Sequence, residues 1–207
     1  MNVNRLVQRV LCSSRRFTFP KYLNTTAAAN MPIKVNQYFL HVSIANSSFN
    51  IYFTGRRCSP NIDLFEETPA NKVNIAKLSE GKKIVIFAVP GAFTPGCSKT
   101  HLPGYVKKAD EMKKQGVSEI VCVSVNDPFV MAAWGKDQGV DGKIRMLADP
   151  QGAFTKAVEL DTELAVLGGL RSKRYSMVVD NGRVLSLQVE PDGTGLSCSL
   201  ADAIKLK

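Results

Sequence analysis

The stretch Lys83-Ile84-Val85-Ile86-Phe87-Ala88-Val89-Pro90-Gly91-Ala92-Phe93-Thr94-Pro95-Gly96-Cys97-Ser98-Lys99-Thr100 runs from an apolar segment through a loop rich in proline and glycine to a cysteine. Its first seven residues are almost all apolar and largely β-branched, so they read as a strand buried on both faces. Pro90 and Pro95 fix φ and lack N–H groups, so the loop between them loses little entropy on ordering. Cys97 falls where that loop hands over to a helix. The first N–H groups of a helix have no intrahelical acceptor and carry the positive end of the macrodipole, which favours negative charge on a sulfur placed there.

Working outward, the chain alternates strand and helix signals. A helix is expected from Cys97 to Gln115, bent or delayed by Pro103, and then a buried strand from Glu119 to Val125. Pro128 to Lys136 reads as a helix with Asp127 as its cap, Ile144 to Leu147 as a short strand, and Asp149-Pro150-Gln151-Gly152 as the start of another helix. Tyr175 to Val179 and Val184 to Val189 flank Asn181-Gly182, a strong hairpin signal. Ser197 to Lys205 reads as a short amphipathic helix. The fold class that follows is α/β, a thioredoxin-like sandwich with a central mixed β-sheet flanked by helices.

The 207 residues, 44% hydrophobic and 22% charged, suffice for one core, placed at residues 31–207. The net charge of +9 does not mark a nucleic-acid binder: eight of the 27 Lys and Arg residues precede Asp63, and no acidic residue does, so the remainder carries 19 basic against 18 acidic residues. No apolar run is long enough to span a bilayer, and no membrane partner is expected. Residues 1–30 place Arg5, Arg9, Arg15 and Arg16 beside a helical stripe of Val3, Leu6, Val7, Val10 and Leu11, followed by serines and threonines, which is the composition of a mitochondrial targeting presequence. Met31 offers a second start for a cytoplasmic form. The end, Lys205-Leu206-Lys207, is not a peroxisomal address. Residues 36–59, crowded with Asn, Ser, Phe, Ile and Tyr and free of acid, fit neither period and read as an anomalous insertion or as translated noncoding sequence.

Five cysteines, Cys12, Cys58, Cys97, Cys122 and Cys198, are widely spaced and lack any C-x-x-C pair, so neither a zinc site nor a dithiol motif is encoded, and no metal or cofactor is expected. Gly91 to Ser98 spells a P-loop in which Cys97 replaces the phosphate-binding lysine, and Pro103 stands where a cysteine phosphatase needs arginine. Taken from residues alone, Cys97 is either a nucleophile or a buried apolar thiol. His101, four residues on, reads as a structural hydrogen-bonder ahead of a Cys-His catalytic pair. Cys122 interrupts an apolar strand and reads as core. Cys198 follows Pro191-Asp192-Gly193-Thr194-Gly195, a turn-rich loop expected to leave its thiol mobile.

The segments PGAFTPGCSKTHLPGYV, VSVNDPFV, WGKD, LADPQGAF, KRYSMVVDNG and VEPDGTGLSCSL, in this order, resemble the type V peroxiredoxins, the atypical two-cysteine kind, over roughly residues 60–207. The resemblance implies reduction of hydrogen peroxide, alkyl hydroperoxides and peroxynitrite with thioredoxin as reductant, by a monomer or weak homodimer. By position it implies that Cys97 is the peroxidatic thiolate, with Thr94, Pro90 and Arg174 completing the catalytic set. It also implies that backbone N–H groups of Gly96 and Cys97 hold the peroxide, and that Cys198 is the resolving thiol, closing a Cys97–Cys198 disulfide.

Overall fold

The computed structural model describes the backbone of residues 31–35, 38–45 and 48–53, and backbone and side chains of residues 60–206. In the first part lie β1 (Met31–Val35), β2 (Tyr38–Ala45) and β3 (Ser48–Phe53). In the second lie β4 (Asp63–Glu66), β5 (Lys72–Asn74), α1 (Ile75–Leu78), β6 (Lys83–Val89), a π-helical turn (Cys97–His101), α2 (Leu102–Lys114) and β7 (Glu119–Ser124). They are followed by α3 (Pro128–Asp137), β8 (Arg145–Ala148), α4 (Ala153–Ala157), β9 (Asp161–Leu164), a 3-10 turn (Ala165–Leu167), β10 (Gly169–Ser172), β11 (Tyr175–Asp180) and β12 (Arg183–Val189). The presequence reading of residues 1–30 falls outside the described residues.

One sheet runs in the order β1-β2-β3-β12-β11-β6-β7-β8-β4-β5. β6, β7 and β8 are parallel, while β11 pairs β6 antiparallel, so the sheet is mixed. Alternation along β6 supplies two cores: Val85, Phe87 and Val89 pack with Tyr105, Ala109 and Met112 of α2 and Met131 and Trp134 of α3. Ile84, Ile86 and Ala88 pack on the other face with Ile75, Phe154 and Leu160. A strand that is apolar on both faces thus sits where both faces are covered, as the continuous run Lys83–Val89 predicts. This is the thioredoxin-like arrangement expected from the sequence.

Local chemistry explains the element ends. Asp127 Oδ1 accepts from the N–H groups of Phe129 and Val130, capping α3. Asn181 and Gly182, with φ of 47° and 73°, make the tight turn between β11 and β12 that Asn-Gly favours. Pro103 has no N–H to continue an α-helical ladder, and the turn before it widens: the Leu102 N–H bonds to Cys97 O, five residues back. The helix expected over Cys97 to Gln115 is therefore a π-turn followed by α2.

Two outcomes differ from the sequence reading, and strands are found in a segment to which the sequence assigns no element. The expected helix at Ser197–Lys205 is absent, and the segment forms turns. Its N–H groups at Ser197 and Ser199 bond to the Glu190 carboxylate, and the Ser199 carbonyl bonds to His101 and Tyr105, so tertiary partners take the groups that a helical ladder needs. The pairs β4/β5 and β9/β10 carry no hairpin signal in the sequence, because strands of three or four residues hold too little alternation to register. Within residues 36–59, β2 and β3 pair antiparallel, and β3 meets β12 at Ile51↔Leu187. Phe39, Val42, Ile44, Phe49, Ile51 and Tyr52 are residue types that favour strands. Among the described residues no helix is long and apolar enough to cross a membrane.

Candidate active site

β6 ends at Val89, and the buried Pro90 locks φ as the chain leaves the sheet. The loop is then held from below: Ala92 N–H donates to Asn126 Oδ1 at 3.1 Å, and Asn126 is fixed by the Ser124 hydroxyl at 2.7 Å. Phe93 follows with φ of 61°, a left-handed conformation that an aromatic residue adopts only where its surroundings enforce it. The Ser98 N–H bonds back to Thr94 O at 2.9 Å, so the helical ladder opens at Thr94. Pro95 has no N–H, and the amides of Gly96 and Cys97 precede the first residue with an i−4 acceptor. Both amides therefore lie in the first turn, where an oxygen-bearing ligand is the natural acceptor.

Cys97 is buried, and two donors reach its sulfur. Thr94 Oγ1 lies 2.8 Å from Sγ and 3.0 Å from Gly91 O. A hydroxyl has one proton, so it goes to the sulfur when the sulfur is ionised and to the carbonyl when the thiol itself donates. Arg174 Nη1 lies 3.3 Å from Sγ, and the residue is only 4% exposed, so little water screens its charge. Arg174 Nε donates to Thr194 O at 3.0 Å, which fixes the fork. A Cβ on Gly96 would lie 3.4 Å from Arg174 Nη2 and from Leu196 Cδ1, so glycine there leaves the guanidinium room beside the loop.

His101 does not contact the sulfur as a base would. It is fully buried, its Nε2–H donates to Ser199 O at 3.0 Å, and its Nδ1 accepts from Arg174 Nη1 at 3.4 Å. The ring stands edge-on to Phe87 and Tyr105. Burial, helped by the Arg174 charge and only partly opposed by the Ser199 carbonyl, lowers its pKa from 6.5 to about 4. The unfolded chain therefore takes up a proton between these values that the folded protein excludes. Stability is full above pH 6.5 and falls as pH drops toward 4, by up to about 3 kcal/mol. Urea denaturation at pH 7 and pH 4.5 measures this slope, and His101→Gln should flatten it.

Cys198 is half-buried and free, its thiol donating to Val189 O at 3.4 Å. Burial, together with the neighbouring Glu190 charge, raises its pKa to about 11, so it is a thiol at neutral pH. The turn-rich loop expected to be loose is in fact bonded along its length, through Glu190, Asp192 and Arg174. Cys122 is buried in β7, and desolvation raises its pKa well above the ordinary thiol value, so it stays protonated. Among the described residues no group of three or more His, Cys, Asp or Glu is placed to hold a metal ion.

Sequence reasoning brought forward Pro90, Thr94, Gly96, Cys97, Arg174 and Cys198; it missed Asn126, Tyr105, Arg171 and Glu190. Arg171 bridges Val125 O, at 2.9 Å, and Leu167 O beside Gly91, tying the loop after β7 to the 3-10 turn. Glu190 had a signal: an acid just past a strand, directly before a turn and close to serines that cap well.

Residues 54–204 match the Redoxin family. Peroxiredoxin-2C of Arabidopsis thaliana is 41% identical over 146 residues, covering 70% of this chain and 90% of that protein. The chain belongs to the peroxiredoxin family. The chloroplastic Peroxiredoxin-2E of Arabidopsis thaliana is 46% identical over 136 residues, 64% of this chain, and the match spans 58% of that longer protein. Among solved structures, reduced Prx3 of Vibrio vulnificus in complex with hydrogen peroxide is similar at TM-score 0.66 and 48% identity, covering 70% of this chain and 92% of the other. Peroxiredoxin 5 of Alvinella pompejana is similar at TM-score 0.62 and 42% identity, covering 68% and 92%. Thiol peroxidase chemistry is what this peroxiredoxin's family performs.

Proposed function

We propose that this peroxiredoxin is of the type V, two-cysteine kind and reduces hydrogen peroxide, alkyl hydroperoxides and peroxynitrite, with thioredoxin as reductant. The observation that carries the reading is the convergence of Thr94 Oγ1 and Arg174 Nη1 on one buried sulfur at a helix start. Cys97 is the peroxidatic thiolate. Its sulfur donates an electron pair to one peroxide oxygen, the S–O bond forms and the O–O bond breaks. The departing hydroxide or alkoxide takes a proton and leaves as water or alcohol, and with peroxynitrite the leaving group is nitrite. The sulfur, oxidised by two electrons, becomes a sulfenic acid. Amides of Gly96 and Cys97 hold the peroxide, and Arg174 offsets the charge that grows on the departing oxygen.

Cys198 then attacks the Cys97 sulfenic sulfur, forming the S–S bond and releasing water, and thioredoxin reopens the disulfide by thiol exchange. The arginine-rich composition of residues 1–30 supports a place for this cycle in mitochondria, with a cytoplasmic form from Met31, in antioxidant defence and redox signalling. Replacing Cys198 with serine tests the scheme: thioredoxin-driven turnover should collapse while the first oxidation of Cys97 proceeds at the parent rate. Unchanged turnover in that variant would exclude the two-cysteine cycle in favour of one using Cys97 alone.

A further inference from the structure

The segment carrying Cys198 is fastened on both sides of the thiol by a single carboxylate. Glu190, buried just beyond the end of β12, accepts four hydrogen bonds: from Ser197 N at 2.8 Å, Ser197 Oγ at 2.6 Å, Ser199 N at 2.9 Å and Ser199 Oγ at 2.7 Å. The Glu190 backbone is itself fixed, since its N–H donates to Arg174 O at 3.0 Å and its carbonyl accepts from Gly193 N at 2.9 Å. Across the segment, the Ser199 carbonyl is shared by His101 Nε2 and by Tyr105 Oη at 2.7 Å. Cys198 meanwhile gives its S–H to Val189 O, and Cys97 is engaged with Thr94 and Arg174; both are free thiols.

A disulfide needs the two sulfurs about 2.05 Å apart, so Cys198 must leave Val189 before it can bond to Cys97. The bonds to Ser197 and Ser199 fasten the backbone on both sides of Cys198, so they limit how far its sulfur can travel. We infer that Glu190 is a positioning residue that latches the Cys198 segment, so that breaking its bonds to Ser197 and Ser199 sets the rate at which Cys198 reaches oxidised Cys97. The inference rests on the resolving role of Cys198 proposed above.

Hydrogen bonds to an ionised carboxylate are stronger than neutral ones, and four on one group make the latch a firm hold on the segment. The bonds also hold the Glu190 carboxyl below its usual range, although burial alone pushes it up, so the latch is charged at neutral pH. Release acts on the chemistry as well. A docked Cys198 is kept protonated by burial and by the Glu190 charge, and a segment that swings away sheds both influences. The thiol then becomes a better nucleophile as it becomes free to move. The latch also has a cost, because a sulfenic acid that waits for Cys198 is open to a second peroxide, which takes it on to sulfinic acid.

Trp134 supplies the reporter. It is the chain's single tryptophan, and its Nε1–H donates to Ser98 Oγ at 3.0 Å, one residue from Cys97. Stopped-flow fluorescence of the full chain mixed with hydrogen peroxide should show a peroxide-dependent phase for Cys97 oxidation and a peroxide-independent phase for disulfide closure. In Glu190→Ala the second phase should quicken at least about tenfold with the first unchanged, and in Glu190→Gln, which keeps the shape and loses the charge, by a smaller factor. Mass spectrometry after turnover at high peroxide should find less Cys97 sulfinic acid in both variants. A second phase that is unchanged or slower in both, or a first phase that falls with it, overturns the latch. Cys198→Ser separates the two readings: if the second phase persists there, the resolving role of Cys198 fails and the latch with it. If that phase vanishes there but is not quickened by either Glu190 variant, the latch alone fails. Should the alanine variant not fold, the glutamine variant decides.

Discussion

Cys97→Ser should consume no peroxide above the rate of free thiols in the assay, with any reductant, while melting within a few degrees of the parent protein. The exchange is nearly isosteric, and the serine hydroxyl inherits Thr94 and Arg174 as neighbours, so the buried site keeps its packing. Chemistry is lost because an alcohol is not ionised under these conditions and an oxygen nucleophile cannot carry the two-electron oxidation that a sulfenic acid stores. No other thiol among the described residues can substitute. Cys122 is buried and held protonated, and Cys198 is held as a thiol away from the helix start. Peroxide consumption followed by dye oxidation, with calorimetry on the same sample, checks both halves. Residual turnover at a tenth of the parent rate would move the peroxidatic role to another sulfur.

Much of this site was legible in the chain because its parts are local. Pro90 to Cys97 lie within one loop and one helix start, and Pro and Gly restrict that loop whatever surrounds it. The strand beneath it was legible for a related reason: seven apolar residues without alternation demand cover on both faces, and the two cores on β6 provide it. What was hidden is long-range. Asn126 acts 34 residues from Ala92, and Tyr105 meets Ser199 across 94, so no window of sequence contains both partners. The final segment misled for the same reason. Ser197 to Lys205 has helical spacing, but Glu190, His101 and Tyr105 claim its backbone groups first. Arg174 was placed through the motif resemblance, since nothing in its own neighbourhood, Ser172-Lys173-Arg174-Tyr175, distinguishes it from Lys173 or Arg171.

Arg174→Ala should slow the reaction of Cys97 with peroxide by about 100- to 1,000-fold, the range seen when one preorganised charge donor is removed from a reacting centre. Three bonds depend on this guanidinium: Nη1 to Cys97 Sγ, Nη1 to His101 Nδ1 and Nε to Thr194 O. The truncation leaves the buried His101 Nδ1 without that donor, so stability should fall as well, by roughly 1–3 kcal/mol, while the exposed Thr194 can turn its carbonyl to water. The two effects separate in Arg174→Lys. Lysine restores a positive charge near the sulfur but presents a single ammonium in place of a planar fork, and it cannot serve the sulfur, His101 and Thr194 from fixed directions at once. If charge alone matters, the lysine variant recovers most of the rate. If the fork matters, it recovers stability more than rate, because a mobile ammonium satisfies a carbonyl more easily than it stays aligned on a breaking O–O bond. The geometry favours the second outcome, since the guanidinium is held by Thr194 on the side away from the sulfur and is thereby aimed before peroxide arrives. Single-turnover rates for the three proteins, set beside their urea midpoints, decide between them, and a rate for Arg174→Ala within threefold of the parent would remove the arginine from the chemistry.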